Sequence, residues 1–235
     1  MTKPSDNTSE EFVYLASHQL RRPITNIKWV TEFLLRTEDL PKRTKEYLGL
    51  IHASTVRLND LINVLLNVSR VERGKMVFSP RSFDLVKFVK SFLREYASFS
   101  AKKNISVLFK KYPVTLPVVI DSGAMYNILQ PLVLNAIEYN PKGGRIEVSL
   151  EKNKETFCLT VRDTGIGIPQ KEQKDIFKKF SRASNARTLN QEGLGLGLYV
   201  VSQTIKLLKG KIWFESKENK GTTFYVELSL TSGKA

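Results

Sequence analysis

Tyr47, Ile51, Ser54, Leu58, Leu61, Leu65 and Val68 alternate spacings of four and three over three heptads, the signature of an α-helix packed along its length. Leu48, Thr55, Ile62 and Leu66 widen that stripe. Upstream, Phe12, Ala16, Leu20, Pro23, Ile27, Val30 and Leu34 recur at similar spacings, which at about 100° per residue form one apolar stripe. Between the two, Thr37-Glu38-Asp39-Leu40-Pro41 is a short break, with Pro41 suited to the first turn of a new helix. A helical hairpin results, with more apolar surface than two helices can bury. Two copies forming a four-helix bundle would cover it, so residues 8–73 predict a homodimer.

Gly74 ends the second helix and the periodicity changes, which predicts one domain over 1–75 and another over 76–235. In the second, the pattern predicts a strand at Met76–Phe78, a helix over Asp84–Ala101, strands at Ile105–Lys110 and Val118–Ile120, and a helix from an Asp121 cap to Tyr139. A strand pair follows at Arg145–Lys152 and Thr156–Arg162, turning at Asn153. After a long polar segment come a helix over Gly195–Lys209 and strands at Lys211–Ser216 and Thr222–Leu230. Mixed strands with helices segregated between them predict an α+β sandwich of two layers.

The chain has 235 residues, enough for two modest cores, and no apolar run approaching the roughly 18 residues that span a bilayer. Cys158 is the only cysteine, which excludes an internal disulfide and fits a reducing, cytoplasmic setting. Net charge is +14, and residues 76–235 hold 25 basic against 14 acidic residues. These cations are scattered, without aromatic interleaving or a reading helix, so no nucleic-acid partner is expected. Trp29 and Trp213 read as packing residues and His52 as a surface residue.

The chemistry sits in four places. His18 lies off the first apolar stripe, where an imidazole faces solvent and can act as a nucleophile. Asp163-Thr164-Gly165-Ile166-Gly167 follows a strand and sets a carboxylate, able to accept from an exocyclic amine, beside two glycines that admit close backbone approach. Gly193-Leu194-Gly195-Leu196-Gly197 opens a helix, whose unpaired N–H groups and positive dipole end suit phosphate. It does not follow a strand, and no Gly-Lys-Ser or Gly-Lys-Thr occurs, so the dinucleotide and P-loop patterns do not apply. Asn135 and Tyr139, four apart on one helix face, offer an amide oxygen for Mg²⁺ and a ring to flank a purine.

In this order the motifs resemble those of a sensor histidine kinase of two-component signalling, from about Glu11 to Leu230. Phe12–Ile24 is similar to the phosphoacceptor motif, Asn135–Tyr139 to the asparagine box, Asp163–Gly167 to the first glycine box, Ile176–Arg182 to the phenylalanine box, Gly193–Gly197 to the second glycine box and Gly221–Phe224 to the closing motif. The resemblance implies a dimeric phosphoacceptor hairpin joined to a Bergerat/GHKL ATP-binding fold, with a mobile lid over about Pro169–Glu192. It implies ATP with its amine at Asp163, Gly165 and Gly167 beside it, and its ring at Tyr139. Asn135 would hold Mg²⁺; Lys179, Arg182, Gly193, Gly195 and Gly197 would receive phosphates, with Thr222 in the closing motif. It implies phosphorylation of His18, transfer to an aspartate of a response regulator receiver domain, and a cytoplasmic chain, free or part of a longer membrane-bound sensor.

Four positions depart from the family pattern. Gln19 replaces the usual acid and can orient the imidazole but not take its proton, which predicts slower autophosphorylation by about 10² to 10⁴. Arg22 replaces the small polar residue associated with dephosphorylating the partner and is positioned to contact the phosphoryl group instead. Pro131 opens the asparagine box and predicts a kink, and Glu138 puts an acid where a lysine is common. A non-catalytic dimeric scaffold and an ATPase without phosphoacceptor function are the alternative readings.

Overall fold

The structure, a computed structural model, describes residues 5–37, 40–72, 76–189 and 193–232, without the side chains of 5–19, Ala53, Arg57, Asp60 and Leu61. It divides into two compact units, Met1–Met76 and Val77–Ala235.

In the first unit, α1 (Ser5–Leu35) packs along α2 (Lys42–Glu72). Ile24 of α1 meets Ile62 and Leu66 of α2 in a small core. Thr31 and Thr55 are buried along the same seam, and the Thr31 hydroxyl donates to the Ile27 carbonyl at 2.8 Å, so its burial leaves no polar atom unpaired. Arg21 Nη2 donates to Asn63 Oδ1 at 2.9 Å across the hairpin. The seam within the chain therefore uses mainly the widening row of α2, joined near its end by Val68 of the main heptad stripe. Much of the main rows stays uncovered: Leu20, Ile27 and Val30 are 51%, 47% and 57% exposed, and Tyr47, Ile51 and Leu58 are comparably so. The physical reason is that two helices meet along one seam, and a second apolar row needs further helices. His52 is half-buried, with Nδ1 3.2 Å from Thr31 Oγ1, and Trp29 is 68% exposed, so the latter is not a packing residue of its own chain. The side chains of Phe12, Ala16, His18, Gln19 and Leu61, and Gly74 itself, lie outside the described residues.

The second unit is built on a five-stranded sheet in the order β2-β4-β5-β7-β6. Its strands are β2 (Ser106–Phe109), β4 (Arg145–Lys152), β5 (Thr156–Asp163), β6 (Lys211–Lys217) and β7 (Gly221–Ser229). β2 joins β4 in parallel, and the other pairings are antiparallel. Alternate residues, Ile146, Val148 and Leu150 on β4 and Phe157, Leu159 and Val161 on β5, face a layer of helices. That layer comprises α3 (Leu85–Glu95), α4 (Ala97–Lys102), α5 (Ser122–Glu138) and α7 (Gly197–Leu207), with a small helix α6 (Ser184–Leu189) outside it. The opposite face is half-wet, and there Trp213 stacks on Tyr225 at 5.3 Å.

Three boundaries differ from the sequence expectation. Met76–Phe78 form no strand: β1 is Arg81–Asp84, because β3 (Pro117–Ile120) is fully paired with it from Arg81↔Ile120 to Asp84↔Pro117. The Asp121 carboxylate then takes the Ser79 N–H at 2.7 Å in place of a ladder bond. The expected single helix breaks at Tyr96, whose ring stacks on Phe92 at 4.6 Å and whose hydroxyl lies 2.9 Å from that of Tyr126. The last helix begins at Gly197 rather than Gly195, since Gly195 has φ +67°, outside the helical region, and it ends before Lys209, where φ is 56°. α5 runs through Pro131 unbroken.

Among the described residues no helix is long and apolar enough to cross a membrane.

Candidate functional site

The site in the second unit begins where α5 ends. Asp121 caps its start by accepting the Ala124 N–H at 2.8 Å, and Tyr139 closes its end with an N–H bond to the Asn135 carbonyl. The helix has no basic residue in its last turn. Lys103, at the end of α4, supplies the charge instead: its Nζ donates to the Ile137 carbonyl at 3.1 Å and the Glu138 carbonyl at 2.7 Å.

From there the backbone ties the loop after β5 beneath the helix end. The Tyr139 carbonyl accepts the Ile166 N–H at 3.0 Å, and a Cβ on Gly165 would lie 2.5 Å from that same oxygen, so only glycine fits. Asn140 is buried and bonds in both directions, accepting from the Thr164 hydroxyl at 3.1 Å and donating to the Arg145 carbonyl at 3.2 Å.

Asp163 stands at the end of β5 with its carboxylate turned into this loop. Its Oδ1 accepts the N–H groups of Gly165 at 2.8 Å and Thr222 at 3.2 Å, and Oδ2 has no partner among the described residues. Burial raises its pKa from 3.8 to about 6, with those two N–H bonds pulling the other way. Thr222 is buried, and its hydroxyl lies 2.9 Å from Ser216 Oγ, which also accepts the Ile168 N–H at 2.8 Å. Gly221, at φ +97°, passes so near the Asp163 carbonyl that a Cβ would sit 2.0 Å from its oxygen. Oδ2 is thus an accessible acceptor on a half-buried carboxylate whose orientation the bonds to Oδ1 fix, suited to an amine donor.

The segment between β5 and α7 runs through a 3₁₀ turn, Gln170–Asp175, and α6. Phe177 packs edge-on against Phe214 at 5.8 Å, and Asn185 Nδ2 donates to the Gly167 carbonyl at 3.0 Å. Lys179 Nζ lies over the Tyr199 ring at 5.4 Å. Arg182 donates to the Ala186 carbonyl at 3.3 Å and also bonds the Tyr139 phenol, which burial raises above its ordinary pKa while Arg182 opposes the rise. A Cβ at Gly193 would meet Arg182 Cζ at 3.3 Å, and one at Gly195 the Ser181 carbonyl at 2.6 Å. No side chain caps α7, whose preceding residue is Leu196. Gly197 answers to packing: a Cβ there would stand 3.2 Å from Pro131 Cβ on α5.

The structure therefore gathers Asp163, Gly165 and Thr222 at one point, and Tyr139, Arg182, Gly193 and Gly195 at another, with Asn135 half-buried on α5 and Lys179 beside Tyr199. His18, Gln19 and Arg22 lie on α1 in the first unit. Lys103, Asn140 and Ser216 leave no periodic trace in the sequence, because their partners lie on other elements or in the backbone. The donors and acceptors fit an adenine nucleotide: a half-buried carboxylate acceptor for its amine, and cations with an open helix N-terminus for a polyanion. Among the described residues no group of three or more His, Cys, Asp or Glu side chains could hold a metal, so Mg²⁺ would rely on Asn135, phosphate oxygens and water.

Two family models match the chain: the histidine kinase-, DNA gyrase B- and HSP90-like ATPase over residues 120–232, and the His kinase A (phospho-acceptor) domain over residues 8–74. Over 224 residues it is 31% identical to the sensor histidine kinase WalK of Bacillus subtilis (strain 168), covering 93% of this chain and 36% of that protein. It is 30% identical to the signal transduction histidine-protein kinase BarA of Escherichia coli (strain K12), covering 94% of this chain and 24% of BarA. The chain thus spans about a third or less of these curated relatives. Among solved structures, full-length ShkA in complex with AMPPNP shares the fold at a TM-score of 0.73 and 20% identity, over 93% of this chain and 45% of that one. The Acinetobacter baumannii histidine kinase AdeS matches at a TM-score of 0.64 and 26% identity, over 91% and 98% of the two chains.

Proposed function

The chain belongs to the sensor histidine kinases of two-component signalling, and on that premise we propose that it is an ATP-dependent protein-histidine kinase that phosphorylates His18. The observation that carries the reading is the open Oδ2 of the half-buried Asp163, whose sister oxygen is held by two backbone N–H bonds. Adenine donates its exocyclic amine there, with Tyr139 along the ring, Gly167 and Thr222 at the loop edge, and Lys179, Arg182 and the Gly193–Gly197 backbone taking the phosphates. Asn135 would hold Mg²⁺, which would supply neutralisation of charge on the transferring group.

The neutral imidazole of His18 attacks the γ-phosphorus, forming an N–P bond as the bond to the β-phosphate oxygen breaks and ADP leaves. Gln19 orients the ring but cannot take its proton, which passes to solvent water instead, so that step is slow, and Arg22 contacts the phosphoryl group. Phosphohistidine then passes the group to an aspartate carboxylate on the receiver domain of a response regulator. The uncovered rows of α1 and α2 support a homodimer, in which Leu20, Ile27 and Val30 meet Tyr47, Ile51 and Leu58 of the other copy. The setting proposed is the cytoplasm, where ATP is supplied.

Incubation with Mg²⁺ and γ-labelled ATP tests this. Acid-labile label on the wild type and none on His18→Ala is the expected result. Nucleotide binding without label would instead assign a scaffold, and steady hydrolysis by both proteins an ATPase.

A further inference from the structure

A groove of about 380 Å³ opens on the opposite side of the second unit from β6, between α3, α4 and the outer edge of β2. Leu93, Ala97, Val107 and Phe109 form its floor and sides, and Lys90 and Arg94 stand on its helical wall. The aromatic end is built: Phe109 stacks on Tyr112 at 4.2 Å, and Lys90 Nζ lies over the Tyr112 ring at 4.4 Å.

β2 is an edge strand, bonded on one side only, to β4. Ser106 N–H donates to the Gly144 carbonyl and Lys110 N–H to the Val148 carbonyl, so the even-numbered residues face β4. By that parity Val107 and Phe109 turn their N–H and C=O groups outward into the groove. Edge strands are usually guarded by charge. Here the nearest candidates are engaged elsewhere, Lys110 with Glu147 at 2.6 Å and Lys111 with Glu151 at 2.9 Å.

The surroundings are cationic. Leu85–Tyr112 contains seven Lys or Arg residues against a single acid, Glu95. Lys103 is bound to the end of α5, and none of Lys87, Lys90, Arg94 or Lys102 has an ion pair among the described residues. Lys90 and Arg94, four apart on a helix, are separated by about 6 Å along its axis, close to the spacing of about 6.6 Å between alternate side chains of a strand.

We propose that this groove binds an extended acidic peptide segment of a partner protein, which adds a strand to the free edge of β2 and sets alternate carboxylates against Lys90 and Arg94. A helix and a strand edge flanking one groove form a recurrent peptide site, in which main-chain bonds give affinity and flanking side chains give specificity. A lipid surface uses neither the concavity nor the outward N–H groups.

Fluorescence anisotropy with a labelled peptide of alternating glutamate and valine, titrated with the full chain, tests the proposal. Saturable binding is expected, weakening with salt and falling by about tenfold in Lys90→Glu/Arg94→Glu, a variant in which nucleotide binding is unchanged. N-methylation of one alternate set of peptide residues should abolish binding and methylation of the other set should not, as a single strand edge requires. Val107→Pro, which removes an outward N–H, should weaken it equally. Absence of saturable binding, indifference to charge reversal or to methylation register, or binding to phosphatidylserine vesicles in place of the peptide would each overturn it.

Discussion

Replacing Asp163 with asparagine should make the second unit more stable while removing its nucleotide binding. The carboxyl's pKa rises from 3.8 to about 6 through burial, and each unit corresponds to about 1.4 kcal/mol, so holding it ionised costs about 3 kcal/mol above pH 7. Asparagine keeps an Oδ1 that can accept from Gly165 and Thr222, but these bonds become neutral, which reduces the expected gain to about 1 to 3 kcal/mol. For a unit of this size that raises Tm by roughly 3 to 8 °C. The sign with pH is fixed: because the folded pKa exceeds the unfolded one, wild-type stability from this group is complete below about pH 3.8 and lost as pH rises through about 6. The variant's advantage should therefore be absent near pH 4 and full near pH 7.5. Oδ2 meanwhile becomes an NH₂ donor facing the adenine amine, so calorimetric titration with ATP should show no binding. A variant less stable than wild type at neutral pH, or an advantage independent of pH, would refute the reasoning.

Gly165→Ala should abolish nucleotide binding and lower the unfolding midpoint, because the new methyl meets the Tyr139 carbonyl at 2.5 Å and must displace the Ile166 bond that holds the loop; titration and thermal melts check both. Lys103→Met should cost about 1 to 2 kcal/mol in denaturant unfolding, since two carbonyls at the end of α5 lose their cation. Ile27→Glu combined with Leu58→Glu should convert the dimer to a monomer in light scattering without unfolding α1 and α2, as both positions lie outside the intrachain seam.

The parts of the fold legible in the sequence were those with a period or a forced conformation. Strand alternation located β4, β5 and β7 to within a residue or two, and Asp121 marked the start of α5. The intrachain seam was harder: Ile24 and Leu20 both belong to apolar rows, and sequence cannot say which row faces the same chain and which another copy. Nor did it show the break at Tyr96, which follows from contacts to Tyr126 and Gln130 some thirty residues away. At the site, glycine spacing drew attention to Gly193, Gly195 and Gly197 as phosphate ligands. Contacts add a separate requirement for glycine, since a Cβ at Gly195 would meet the Ser181 carbonyl and one at Gly197 would meet Pro131. Lys103 carried no signal because its partners are backbone atoms of another element.

Asn140 joins the end of α5, the first residue of β4 and the loop after β5 through one enclosed amide. The bond to Arg145 spans only five residues, but the one from Thr164 spans 24, so the amide's full set of bonds exists only once β4 and β5 have paired. Any fluctuation that releases them must leave an amide without partners in an apolar setting, which ties this spot to opening of the whole sheet rather than to fraying of a loop. The floor beneath Asp163 therefore shares the lifetime of the core.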